Sequence, residues 1–220
     1  MGPSVRKMIK FTDAAKYFKG EPQQIDALEY LEKNTSPEVK IEFEKRYRAS
    51  SQSNSKPKAK IPQQAIDIIK EFEGFVSKAY YDPLTKSLPI TIGYGSTRRR
   101  DGTRFMIGNS VTQSEAEDLL AYQLETDYIP SLSKIPYWNE MNNEMKSALI
   151  SFGYNLGSGF YGSSDFGTIT RHLKDKLWKN IPDALMLYVN PGTDVTEGLR
   201  RRRKSEGILW NFGLSKLSLK

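Results

Sequence analysis

The stretch "RASSQSNSKPKAKIPQ", Arg48 to Gln63, most limits how this 220-residue chain can fold. It is rich in Ser, Lys, Pro and Asn and almost free of large apolar side chains. It cannot be laid into a core, and it reads as a flexible linker over residues 49–61. Any core must form on one side of it. Residues 1–48 read as a small helical module. "PQQIDALEYLEK" sets Ile25, Leu28 and Leu31 on one face, and "SPEVKIEFEKRYR" opens with Ser36 as N-cap and Pro37 at the first helical position. So short a segment buries little by itself. Residues 62–220 carry the main domain. "IPQQAIDIIKEFEG" is an amphipathic helix with Pro62 near its start and Gly74 as its stop. Strand-like runs come next at Lys78–Tyr81, Pro89–Tyr94 and Arg104–Ile107, parted by "DP", "GYG" and "DG" turns. Then come helices. "TQSE" at Thr112–Glu115 is a capping box, "NEMKSALISFGYNLG" is an apolar helix ended by Gly157, and "IPDALMLYV" and "GLRRRRKSEGILW" complete the set. A helix, a small antiparallel sheet and then many helices make an α+β fold.

The chemistry open to such a domain is narrow. The chain has no cysteine and one histidine, His172. Thiol nucleophiles, disulfides and zinc sites built on Cys or on several His are excluded. A Ser-His-Asp triad would have to use His172, which stands in the amphipathic "TRHLKDKLW" and suits a surface or packing role. Carboxylates remain for acid–base work, with no metal and no organic cofactor implied.

The stretch "EFEGFVSKAYYDPLTKSLPITIGYG" supplies two carboxylates in unlike settings. Glu73 ends its helix between Phe72 and Phe75. The helix dipole and apolar surroundings disfavour its charged form, as a general acid requires. Asp82 falls in a turn before Pro83, a more solvated place that keeps it ionised. Thr91 brings a hydroxyl on the next strand. One carboxyl to protonate a leaving oxygen and one to support the opposite side of a sugar ring can cleave a glycosidic bond.

This segment resembles the active-site segment of phage-type lysozymes, glycoside hydrolase family 24. Glu73, Asp82 and Thr91 fall on the family's Glu-Gly, Asp and Thr-before-Gly-x-Gly pattern. "ALISFGYNLGSGFYGSSDFGTITRHL" is similar to the family's central helix with the loop and helix after it, and "GLRRRRKSEGILW" to its C-terminal helix. The resemblance runs from about Gln64 to Phe212. It departs from the pattern in the turn "PLTKSLPI", which is longer than usual, and in Ser96, which stands where the family often has His. It implies a lysozyme-like fold: a small antiparallel sheet lobe, a larger helical lobe and a cleft between them. It also implies a muramidase, inverting as such members generally are. Glu73 would be the proton donor, Asp82 the second carboxylate and Thr91 the residue that helps hold water. Gly95, Ser96, Tyr154 and Asn155 would bind the glycan.

The expected partner is bacterial peptidoglycan, met by a monomer. The formal charge of +7 is uneven: residues 1–60 hold 13 Lys/Arg against 8 Asp/Glu. A basic balance suits an anionic polymer. The run Arg200–Arg203 is not expected to bind nucleic acid, since consecutive helical residues point in all directions, and Arg202 can pair with Glu206 at i, i+4. The loop "STRRRDGTR" offers Arg98, Arg99, Arg100 and Arg104 to wall carboxylates. No apolar run can cross a bilayer and no secretory signal is read. A phage endolysin held in the host cytoplasm until release to the wall is therefore expected, or a virion-associated lysozyme. The rival is a lysozyme-like domain that binds peptidoglycan or builds a virion without cutting.

Overall fold

The computed structural model describes residues 61–81 and 88–217. The helical module at 1–48, nearly all of the linker at 49–61, and Asp82 lie outside the described residues. Ile61, the last linker residue, is already packed in the core.

Helix α1 (Gln63–Glu73) begins after Pro62 and buries Ala65, Ile66, Ile68 and Ile69, the one apolar face its periodicity provides. It stops at Gly74, whose φ of 69° lets the chain turn away, while the Gly74 N–H donates to the Lys70 carbonyl. Strands β1 (Val76–Tyr81) and β2 (Ile90–Gly93) pair antiparallel, with Val76 opposite Gly93, Tyr80 opposite Thr91 and Tyr81 opposite Ile90. The register shifts between Val76 and Tyr80, a bulge that bends the hairpin. The third expected strand does not form. Arg104 makes one isolated bridge, to Arg98, and Met106 and Ile107 stand 66% and 49% exposed. A strand needs a continuous partner edge and an alternating buried face; this run has one bridge and one buried side chain, Phe105.

Helix α2 (Gln113–Gln123) opens on the complete capping box, with Thr112 accepting from the Glu115 N–H and Glu115 accepting from the Thr112 N–H. A wide helical turn at Leu124–Tyr128 leads into α3 (Ile129–Leu132). The widening is a consequence of Pro130, which has no N–H to return to the preceding turn. Helices α4 (Asn143–Leu156), α5 (Gly167–Lys174), α6 (Ile181–Leu185) and α7 (Thr196–Leu217) complete the larger lobe.

Helix α4 is the centre of that lobe. It buries an unbroken run from Ser147 to Gly153, so it is covered on all sides. Helices α1 and α7 are its main neighbours. α7 comes close because Gly213 has no side chain: a Cβ there would meet the Met145 Cγ at 2.7 Å. The Asn142 side chain uses the proximity, capping α4 at the Met145 N–H and donating to the Gly213 carbonyl at 2.6 Å. The main core joins Ile68, Leu120, Leu149, Phe152, Trp210 and Phe212. A second, small cluster of Ile92, Phe105 and Leu119 lies under the sheet. The molecule is thus α+β, with a two-stranded sheet lobe, among the described residues, set on a helical lobe. No helix among the described residues is long and apolar enough to cross a membrane.

Candidate active site

The lobes meet where α1 ends. Glu73 is the last residue of α1, with its side chain partly open to solvent (27% exposed). The sequence surrounds it with aromatic neighbours, but the structure adds a cation. The Arg202 Nη1, from the middle of α7, donates to the Glu73 Oε1 at 2.6 Å. The guanidinium also lies 5.7 Å from the Phe72 ring centroid, while Phe75 turns toward Tyr94, with ring centroids 5.6 Å apart. Glu73 thus stands against a guanidinium as well as the aromatic rings that its sequence neighbours supply. Nothing local in the sequence marks this contact, because it joins residues 129 positions apart.

Behind Glu73 the charges form a buried network. Arg202 is 4% exposed and Glu206 fully buried, with the expected i, i+4 pair at 3.4 Å. Arg203, also fully buried, approaches the other Glu206 oxygen at 3.0 Å. The Ser151 hydroxyl donates to Glu206 at 2.7 Å, and Arg202 donates to the Ser151 carbonyl at 3.1 Å. Arg203 stacks 4.7 Å from the Phe152 ring and donates to the Asn155 side-chain oxygen. The basic run is thus divided by the turn of the helix. Arg202 and Arg203 face inward as structural cations, and Arg200, Arg201 and Lys204 face solvent.

Thr91 lies on β2, half-buried, directly across from Tyr80. Residues that pair this way share one face of the sheet, so Thr91 and Tyr80 lie on the same side of it. The Tyr154 hydroxyl donates to the Tyr94 carbonyl at 2.7 Å, a direct bond between lobes. Gly95 is exposed with φ at 100°, and a Cβ there would stand 3.2 Å from the Tyr154 hydroxyl, so glycine keeps this crossing close. Tyr128 packs against Tyr154 with centroids 5.2 Å apart. Burial, and then the negative charge of Glu73, push the Tyr154 phenol well above its ordinary value. Tyr128 is raised by burial and by the charges of Asp127 and Glu73. Both phenols stay protonated near neutral pH, and the Tyr154 proton is committed to the Tyr94 carbonyl.

The structure brings Glu73, Tyr154 and Gly95 to the interlobe region and places Thr91 on β2. Asp82 falls outside the described residues. Ser96 is buried, and its hydroxyl donates to the Gln123 side-chain oxygen at 2.9 Å, so it braces the sheet lobe against α2. The Asn155 amide oxygen is taken by Arg203. Among the described residues, no three His, Asp or Glu side chains gather as a metal would require.

A family profile described as phage lysozyme matches residues 70–206. The chain is 30% identical over 158 residues to an endolysin of Bacillus phage B103, covering 71% of this chain and 56% of that protein. It is 30% identical to an endolysin of Lactococcus phage c2, covering 71% and 62%. The chain thus spans little more than half the length of these curated relatives. Among solved structures, a mutant of P22 lysozyme superposes with a TM-score of 0.54 at 30% identity, covering 68% of this chain and 97% of that one. The muramidase domain of SpmX from Asticaccaulis excentricus gives 0.53 at 26% identity, covering 70% and 98%.

Proposed function

Since the chain belongs to the phage lysozyme family, we propose that it is a muramidase. It hydrolyses the β-1,4 bond between N-acetylmuramic acid and N-acetylglucosamine in bacterial peptidoglycan, as a phage endolysin that lyses the host. The observation that carries this reading is Glu73. It is a helix-end carboxyl at the junction of the lobes, partly open to solvent and held by Arg202 at 2.6 Å. In this reading Glu73 protonates the leaving oxygen. Asp82 and Thr91 direct a water to the opposite face of the ring, giving inversion. Tyr154, Asn155, Gly95 and Ser96 shape the sugar site, Ser96 and Asn155 by bracing its walls. The Arg202 contact fixes the Glu73 rotamer, and entry of the glycan, by expelling water, strengthens every charge interaction in the cleft. No cofactor takes part. The protein works as a monomer on peptidoglycan, with no nucleic-acid partner. It waits in the host cytoplasm until another agent opens the membrane.

The test is Glu73→Gln, which keeps the shape and removes the acid. Lysis of wall suspensions should fall by about 10²–10⁴-fold, the usual contribution of general acid catalysis, with the melting curve little changed. Product analysis of the wild type should find new N-acetylmuramic reducing ends. Activity of the variant within threefold of wild type, or anhydro-muramic ends, would overturn the assignment.

A further inference from the structure

Four of the ten large apolar side chains that stand exposed among the described residues gather at one end of the sheet: Tyr81, Leu88, Met106 and Ile107. The register brings them together. Tyr81, the last residue of β1, pairs with Ile90, which follows Leu88 by two positions. Along the other edge of β1 the chain runs antiparallel, with Lys78 bridged to Ser110 and the Ala79 N–H donating to the Asn109 carbonyl at 3.0 Å. The residues before Asn109 therefore lie toward the Tyr81 end of β1. Met106 and Ile107, then Tyr81, then Leu88 make an apolar border across three neighbouring segments.

The border is held in place. Met106 and Asn109 close a turn: the Asn109 N–H donates to the Met106 carbonyl at 3.0 Å, and the Met106 N–H donates to the Asn109 side-chain oxygen at 2.8 Å. Gly108, with φ at 96°, allows the reversal. Arg99 donates to the same Asn109 oxygen at 2.9 Å and fixes it. Surface turns are usually built from small polar residues. This one carries Met and Ile, and it holds them out in water.

Cations stand beside the border. Residues 74–111 hold 6 Lys/Arg against 2 Asp/Glu, while the rest of 61–220 holds 14 against 16, so the positive charge of the domain sits on the sheet lobe. Arg98 and Arg104 line an open cavity of about 470 Å³ whose apolar wall is Leu88, Pro89, Ile90 and Phe105. Arg98 meets Asp127 through one nitrogen, at 2.6 Å, which leaves other donors of its fork open. The Arg104 guanidinium has no hydrogen bond or ion pair among the described residues. A guanidinium grips a phosphate through two parallel bonds.

Exposed apolar side chains grouped on a surface mark a place of interaction. A bilayer with acidic headgroups sets a layer of phosphate directly over hydrocarbon, which matches cations set directly beside Leu88, Met106 and Ile107. Tyr81 suits the boundary between the two layers. We propose that this end of the sheet lobe docks on an anionic phospholipid surface. Met106, Ile107 and Leu88 enter the acyl boundary, and the cavity takes a lipid phosphate between Arg98 and Arg104. The contact is peripheral, and it goes beyond the muramidase reading without depending on it.

The chain has no cysteine, so a dye that brightens and shifts to the blue on leaving water can be attached at one chosen residue. The full chain with the dye on Met106→Cys is mixed with vesicles of equal parts phosphatidylglycerol and phosphatidylethanolamine, and separately with phosphatidylcholine vesicles. Leu187→Cys, exposed on the helical lobe, carries the dye as reference. The anionic vesicles should shift the dye at Met106 and leave the dye at Leu187 unmoved. No shift at Met106, an equal shift at Leu187, or an equal shift with phosphatidylcholine would overturn the proposal. Sedimentation of the unlabelled full chain with the same vesicles gives the partition coefficient, and residues 1–60 contribute alike to every variant. Arg104→Gln should lower it about fivefold, the contribution of one basic side chain at an anionic surface. Leu88→Ser with Met106→Ser should lower it about tenfold by removing apolar insertion. Soluble inorganic polyphosphate should bind this double variant as well as it binds wild type. A double variant that partitions onto vesicles like wild type, with only Arg104→Gln impaired, would make the lobe a site for soluble polyanions and overturn the bilayer contact. Hydrolysis of soluble muropeptide chains should be the same in all these proteins.

Discussion

Arg202 answers to two carboxylates. One of its nitrogens holds Glu73 at the lobe junction, and another faces Glu206 in the core. A cation so placed does two tasks: it fixes the rotamer of Glu73 and offsets a fully buried acid. Removing one partner of a buried pair costs about 3–5 kcal/mol, because the charge left behind has no solvent. Here Glu206 keeps Arg203 and Glu73 keeps some water, so the loss should fall near the lower end, about 3 kcal/mol. For a domain of this size that is a drop of about 6–12 °C in Tm for Arg202→Ala. Scanning calorimetry measures it, and a shift below about 2 °C would mean that Arg203 alone satisfies Glu206. The i, i+4 spacing of Arg202 and Glu206 is visible in the sequence. The partnership with Glu73 is not, since helical periodicity says which residues share a face and nothing about which distant element that face meets.

At the scale of elements, the signals that survive are those whose physics is local. Gly74 and Gly157 end their helices with positive φ, Asn142 and Thr112 cap theirs, and Ile66 and Ile69 choose the buried face of α1. The run at Arg104–Ile107 has strand-like composition but only one bridge to a neighbour, and it becomes a loop that buries Phe105 alone. The wide turn between α2 and α3 is likewise hidden, since Pro130 reads as a helix stop and the chain instead widens one turn and continues. The capping box gives a prediction. Thr112→Ala should cost about 1 kcal/mol by removing the acceptor for the Glu115 N–H. The hydrogen bonds from Thr112 also hold the Glu115 carboxyl below its ordinary value. The folded state thus binds the Glu115 proton less readily than the unfolded chain. The stabilisation is complete above the ordinary carboxylate range and is lost as pH falls through the depressed folded value. Urea midpoints of wild type and Thr112→Ala should therefore draw closer without meeting as the solution is acidified through that range, because the variant lacks the cap at every pH but keeps the backbone N–H bond to Glu115. A gap that stays constant would show that the threonine acts on the backbone alone.

For the whole molecule, the question is what residues 1–60 add to a domain that already holds Ile61 in its core. The family match starts at residue 70, and the buried side chain of Ile61 sets the last point at which the chain can be cut without opening the core. Residues 1–60 hold 13 of the 33 Lys and Arg but only 8 of the 26 Asp and Glu, so most of the surplus positive charge lies there. A second contact tethered to an enzyme raises its effective concentration on an insoluble substrate without touching the active site. Residues 61–220 produced alone should therefore keep their turnover on soluble muropeptide chains and their Tm. They should sediment less with purified sacculi than the full chain does. If charge is the attraction, the difference should be largest at low salt and shrink as the ionic strength passes about 0.15 M, where the screening length is roughly 8 Å. The competing outcome has its own signature. Should the first sixty residues act by packing on the catalytic domain, the shortened protein would bind sacculi as well as the full chain and melt several degrees lower. That pair of results would assign the N-terminal segment to stability and leave wall attachment to the cleft.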